Sequence, residues 1–165
     1  MNPAGLGRMF PELLPRLWEH ALRLSRDPRD AEELVQQACA RALETAHELM
    51  ADTSPLNWML SLVHSMWISD PRARDIRGAI AMKPCERAAA ADPAAMLERV
   101  VTAVDELPDG ERAVVLLVDA EKRDHHEAAK ILDVPVATVR SRLWHARQTV
   151  ERRCSGREHE DAPAG

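Results

Sequence analysis

The sequence predicts an all-α fold of two small helical domains joined by a flexible linker. Three observations carry that prediction: aromatic content of 3% with no Tyr and one Phe, apolar residues at helical intervals in both halves, and an Ala/Pro-rich interruption between them. Burial must therefore rest on Leu, Val, Ala, Met and four Trp, a composition suited to helix packing rather than pleated sheet. A chain of 165 residues holds one ordinary domain or two small ones and excludes a large multidomain enzyme.

Each element has a local signature. FPELLPRLWEHALRLSR places Leu13, Leu14, Leu17, Trp18, Ala21, Leu22 and Leu24 at helical spacing and stops at Arg26-Asp27-Pro28. After Asp30, the stripe Ala31, Leu34, Val35, Ala38, Cys39, Ala42 and Leu43 defines a second helix, with Glu32, Glu33, Gln36, Gln37, Arg41 and Glu44 outside. Asp30 and Glu33 have capping-box spacing at its start. Ser54-Pro55 supplies a cap and a first-turn proline to a third helix, LNWMLSLVHSMWIS, ended by Asp70-Pro71. Residues 78–92 carry no amphipathic stripe and are expected to be a linker between an N-terminal domain (1–77) and a C-terminal one (93–154), with a disordered tail at 155–165.

Asp92-Pro93 repeats the cap-plus-proline signal and opens AAMLERVVTAVDEL. Asp109 begins a short helix through Val118, Asp124-His-His-Glu127 has capping-box spacing, and Val134-Pro135 starts a last helix to about Arg153. HHEAAKILDVPVATVRSRLW fits a helix-turn-helix, with Ala129 at the close approach, Asp133 at the turn and Val139 plugging the second helix into the first. Glycine is commoner than Asp at such a turn because it tolerates positive φ. Residues 135–153 hold five Arg and one Glu, a local charge of +4 in a chain whose total is -5. Any nucleic-acid contact is therefore local, because the molecule as a whole is not a polycation.

Other chemistry finds little support. Three separated cysteines (Cys39, Cys85, Cys154) form neither a disulfide framework nor a zinc knuckle and fit a reducing compartment, so the cytoplasm is the expected location. The N-terminal residues lack a secretory pattern and the longest plain apolar run, 113–118, is too short for a bilayer. His125-His126-Glu127 lacks the second His a zinc-protease helix needs, so no metal is expected. No nucleophile triad, phosphate loop or paired carboxylates stand out, and neither catalysis, a cofactor nor a small-molecule substrate is expected.

DAEELVQQACARALE, SPLNWMLSLVHSMW and DELPDGERAVVLLVDAEKRDHHEAAKILDVPVATVRSRLWHARQTVERR, in that order over roughly residues 10–153, resemble a bacterial RNA polymerase sigma factor of the extracytoplasmic-function type. The resemblance implies a promoter-specificity subunit with core RNA polymerase and promoter DNA as partners, an anti-sigma factor as antagonist, and a role in stress-responsive transcription initiation. It implies polymerase docking by Asp30, Glu33, Gln36 and Gln37, and minus-10 strand capture around residues 48–58, including Asn57 and Trp58. His64, Ser65, Arg72 and Arg74 would line the melted strand and adjacent duplex. Thr138, Arg140, Ser141, Arg142, His145 and Arg147 would read the minus-35 element. The chain departs from the family's frequent Arg-Asn pair at His64-Ser65, and from a frequent Asp at Ser69, which implies weaker or narrower strand capture. Two alternatives stand beside this one. In one, a sigma-like decoy titrates an anti-sigma factor or polymerase without opening promoters; in the other, a stand-alone helix-turn-helix regulator binds DNA unaided.

Overall fold

The computed structural model describes residues 3–49, 53–70 and 92–155, and these contain seven α-helices and no strand. Three belong to the N-terminal half: α1 (Pro3–Ser25), α2 (Pro28–Glu44) and α3 (Pro55–Ser69), with a 3-10 turn at Ala46–Glu48. Four follow: α4 (Pro93–Asp105), α5 (Asp109–Val115), α6 (His125–Leu132) and α7 (Val136–Ser155). The expected linker, apart from Asp92, lies outside the described residues, as do the tail beyond Ser155 and the candidate residues Arg72 and Arg74.

Helix α1 starts well before the Phe10 that the sequence pattern marks, and runs through Pro11 and Pro15. Both prolines are exposed and four residues apart, so the lost backbone donors lie on one solvent-facing strip while Leu6, Leu13, Leu17, Ala21 and Leu24 bury the other. Arg26 in the left-handed region (φ 62°) ends the helix, its amide bonded to the Leu22 carbonyl at 2.8 Å.

The cap of α2 corrects the sequence expectation. Asp27, not Asp30, is the N-cap: its carboxylate accepts from the Arg29 and Asp30 amides at 2.8 and 3.1 Å, and Pro28 fills the first helical position. A first-turn proline with its φ already fixed outcompetes a cap three residues later. The buried stripe is Ala31, Leu34, Val35, Ala38 and Ala42, with Cys39 half-buried. Leu43 is 38% exposed, because the stripe rotates past it at the end of the helix. Helix α3 begins at Ser54-Pro55, although the Ser54 side chain makes no capping bond, and buries Leu56, Met59, Leu60, Val63, His64 and Trp67.

In the C-terminal half, Asp92 caps α4 through the Ala94 amide at 3.0 Å. The expected helix from Asp109 to Val118 is α-helical only to Val115, then widens to a π-helical turn over Leu116–Ala120. The Asp124–Glu127 capping box forms in full, with Asp124 accepting from the His126 and Glu127 amides at 2.8 Å and the Asp124 amide donating to Glu127 Oε2 at 3.1 Å. Asp133 adopts φ 51°, ψ 49° at the turn, the conformation for which glycine is the commoner residue. Val139, fully buried, lies with Leu143 and Ala146 on the covered side of α7, which packs against α5 and α6.

The two halves do not stand apart. Buried residues of α1, α2 and α3 run continuously into those of α5, the π-helical turn, α6 and α7 as one apolar core. Helix α6 lies on α3, and α5 meets the end of α1.

Candidate nucleic-acid interface

Burying Val139, Leu143 and Ala146 on one side of α7 leaves Ala137, Arg140, Ser141, Trp144 and Gln148 on the other, all exposed at spacings of three and four. Trp144 is 59% exposed, its indole meeting the His145 ring edge-on at a centroid distance of 4.9 Å. Sequence reasoning passed over Trp144; the signal available was that it falls at the free-face spacing, i+4 from Arg140. Ser141 Oγ donates to the Thr138 carbonyl at 3.2 Å, and Thr138 is half-buried.

The five arginines of α7 part company here. Arg140 is exposed and meets no carboxylate among the described residues. Arg147 is tied to Asp119 of the π-helical turn at 2.6 Å, and that bond raises the Arg147 pKa. Arg153 pairs with Glu106 at 2.7 Å with both side chains largely covered, and Arg152 donates to Thr149 at 3.3 Å. The Arg142 guanidinium lies over Gly110 at the start of α5, so close that a Cβ there would sit 3.1 Å from its central carbon. The +4 of the segment is thus partly neutralised within the fold, and Arg142 and Arg147 are turned toward protein instead of standing off the free face with Arg140.

On the outer side of α2, Glu33, Gln36 and Gln37 are exposed and Asp30 is half-exposed. Gln36 donates to Glu32 at 3.1 Å and Gln37 to Glu33 at 2.9 Å, exposed i,i+4 pairs of the kind that support a helix by about 0.2–0.5 kcal/mol each.

On α3, His64 is only 7% exposed, which corrects the expectation that it lines a strand: its position on the helix faces the bundle with Leu60 and Trp67. Ser65, next along, is exposed. Asn57 and Trp58 border a cavity of about 320 Å³, together with Thr53, Ser54 and Ser61 on their own side and Glu127, Lys130 and Ile131 of α6 opposite. Across it the Asn57 side-chain amide donates to Glu127 Oε1 at 2.8 Å, while Asn57 Oδ1 is buried and has no hydrogen-bond partner among the described residues.

A second polar contact joins the halves at the end of α1. Arg112 of α5 is 1% exposed and donates to the Leu24 carbonyl at 2.9 Å, the Asp109 carboxylate at 2.7 Å and the Asp105 carbonyl at 3.1 Å. Arg26 reaches the same Asp105 carbonyl from the other half. Burial pulls the Arg112 pKa down, and the neighbouring Arg26 adds to this against the pull of Asp109 and Asp105; burial likewise pushes the Asp105 carboxyl up. Arg16 of α1 pairs with Glu121 at 2.8 Å. Nothing in the local sequence marks Arg112, Glu121 or Glu127 for these roles, since their partners lie 70 to 105 residues away.

Among the described residues no group of three His, Cys, Asp or Glu side chains could hold a metal ion, and no helix is long and apolar enough to cross a membrane.

Residues 9–76 match the family described as Sigma-70 region 2, and residues 97–150 the one described as Sigma-70, region 4. A probable RNA polymerase sigma factor RfaY of Xanthomonas campestris is 30% identical over 141 residues, which cover 79% of this chain and 35% of that protein. The ECF RNA polymerase sigma factor EcfG of Rhodopseudomonas palustris is 28% identical over 139 residues, covering 81% of this chain and 76% of that one. The chain thus spans about a third of the first relative's length and about three quarters of the second's. Among solved structures, the sigma factor RpoE in complex with the anti-sigma factor NepR from Bartonella quintana superposes with a TM-score of 0.71 at 20% identity, over 90% of this chain and 96% of that one. At that identity the likeness speaks to the fold.

Proposed function

The chain belongs to the sigma-70 family of bacterial transcription initiation factors, of the extracytoplasmic-function type, and from that premise we propose that it is a promoter-specificity subunit. In this reading the outer face of α2, with Asp30, Glu33, Gln36 and Gln37, docks on core RNA polymerase. Helix α7 enters the major groove of a minus-35 element with Arg140 and Ser141 foremost, and Asn57, Trp58 and Ser65 meet the unpaired minus-10 strand. Thr138, Arg142, His145 and Arg147 stand beside the reading face and steady it or touch phosphate. The chain itself performs no covalent chemistry; polymerase does. It works in the cytoplasm, and a protein antagonist, of the kind that NepR is for the sigma factor RpoE of Bartonella quintana, limits it. Weak intrinsic DNA affinity suffices for such an adaptor, because attachment to polymerase raises its effective concentration at the promoter.

The observation that carries this reading is the free face of α7, where an exposed Arg140, able to make a bidentate contact with guanine, stands one turn from Trp144 and next to the Ser141 hydroxyl. A second reading, the decoy that binds polymerase or an antagonist without opening promoters, draws on the buried His64 and the engaged Asn57. Run-off transcription with core polymerase on a randomised promoter pool separates the two. A specificity subunit yields transcripts whose templates share sequence at two upstream blocks. Binding to core without any transcript from the pool would leave the decoy.

A further inference from the structure

We propose that His125, in the first turn of α6, is a duplex-contacting residue beside the free face of α7, and that its imidazole makes DNA binding proton-linked. The inference rests on the reading above that this face meets duplex DNA; what it adds is a second helix at the contact and a dependence on pH.

The capping box that starts α6 also sets where the two neighbouring imidazoles go. His125 is half-buried against α7 and borders a recess of about 280 Å³ with Arg140, Trp144 and Gln148 of the free face, and with Arg147 and Glu151 toward the end of that helix. His126 is exposed and borders a different recess, with Lys130, Asp133 and Pro135. Successive helical residues diverge by about 100°, so one imidazole joins the Arg140 face and the other turns from it. The first recess suits a backbone phosphate. Arg140 meets no carboxylate among the described residues, Gln148 is exposed and offers an amide donor, and Trp144 supplies an apolar wall for the sugar.

The charges facing His125 are nearly balanced in the free protein. Asp124 on its own turn and Glu151 across the recess favour the imidazolium; Arg140 and Arg147 oppose it, the second with its charge met by Asp119 at 2.6 Å. Groups flanking the start of α6 are engaged elsewhere, Glu121 with Arg16 and Glu127 with Asn57 and Arg123, while Lys122 is exposed. Helix α3, packed on α6, brings no ionisable side chain but the buried His64. A phosphate tips this balance. Its negative charge raises the proton affinity of the imidazole, and by reciprocity a proton on the imidazole strengthens the hold on phosphate. Arg140 thus supplies constant attraction and His125 a part that acidification toward pH 6 adds.

The test measures binding of the full chain to a short fluorescein-labelled duplex of randomised sequence, since phosphate contacts are independent of sequence. Anisotropy titrations over a salt series are run at pH 7.8 and 6.0, with circular dichroism to confirm folding at both. The wild type should bind about threefold more tightly at pH 6.0, and its logarithmic salt slope should steepen by up to about 0.9, the release of one counterion. His125→Gln should lose most of that gain, and His125→Arg should bind tightly with the steep slope at both pH values. His126→Gln should respond as the wild type does. No duplex binding by the wild type at low salt, a full response in folded His125→Gln, or a response abolished by His126→Gln or His145→Gln instead would each overturn the proposal. Polymerase is absent from every arm. A chain that shows the proton-linked contact yet yields no run-off transcript keeps the role of His125 and loses the promoter-subunit reading.

Discussion

His20 shows what the fold demands of a single side chain. It lies 2% exposed on α1, and burial, with Arg23 nearby, lowers its pKa from 6.5 to about 4. Above pH 6.5 the ring is neutral in both folded and unfolded chains and its contribution to stability is fully present. As pH falls from 6.5 toward 4 the unfolded chain takes up a proton that the folded chain refuses, and stability drops by up to about 3 kcal/mol. Urea midpoints measured from pH 7.5 to 4.5 should decline, and His20→Leu should flatten the part of that decline lying between 6.5 and 4.5; an unchanged slope would mean that His20 is hydrated in the folded state. At the other end of the chain, Arg140 and Arg147 have opposite expectations despite similar exposure. Arg140→Ala should lower use of the preferred promoter by about 1–3 kcal/mol and relax selection at one base pair. Arg147→Ala, which removes an exposed ion pair with Asp119, should change stability by no more than about 1 kcal/mol and leave base selection intact. Transcript sequencing from a promoter library distinguishes them.

Helices are where the sequence was most legible. All seven described helices follow from apolar periodicity and from caps read locally: Asp92-Pro93, Ser54-Pro55 and the Asp124–Glu127 box each begin the helix that their spacing marks. Where two start signals overlap, pattern alone misleads. Asp30-x-x-Glu33 is a valid spacing, yet Asp27-Pro28 forms the cap because proline fixes the first helical residue at no entropic cost. Asp27→Ala should therefore cost about 1 kcal/mol in thermal or chemical unfolding, and Asp30→Ala only a few tenths. Equal losses would place the cap elsewhere. The π-helical turn was not legible at all. It inserts one residue into a continuous apolar run, a change that helical periodicity over five residues cannot register, and by doing so it presents Asp119 to Arg147. Helix α7 illustrates the same limit: composition supplies five arginines, but only packing against Gly110, Asp119 and Glu106 divides those facing protein from Arg140.

At the scale of the whole molecule the sequence speaks of two helical groups and is silent on how they meet. Arg112 reads as an ordinary surface residue of an amphipathic helix, yet it is 1% exposed and bonded to a carbonyl 88 residues earlier. Glu127 reads as a capping residue, which it is, with its second oxygen given to Asn57. Such pairings are decided by tertiary placement, and no local propensity encodes them. The surfaces themselves are simple to describe: a polar, acidic face on α2, far in sequence from the arginine-rich last helix, in a chain of net charge -5. A self-sufficient DNA binder has little use for the first face, and a specificity subunit requires it. The most direct measurement is equilibrium binding of the full chain to core RNA polymerase over a series of salt concentrations, with Glu33→Lys and Arg140→Ala alongside. The account predicts saturable binding by the wild type, unchanged for Arg140→Ala and at least tenfold weaker for Glu33→Lys. No association at any ionic strength would contradict it.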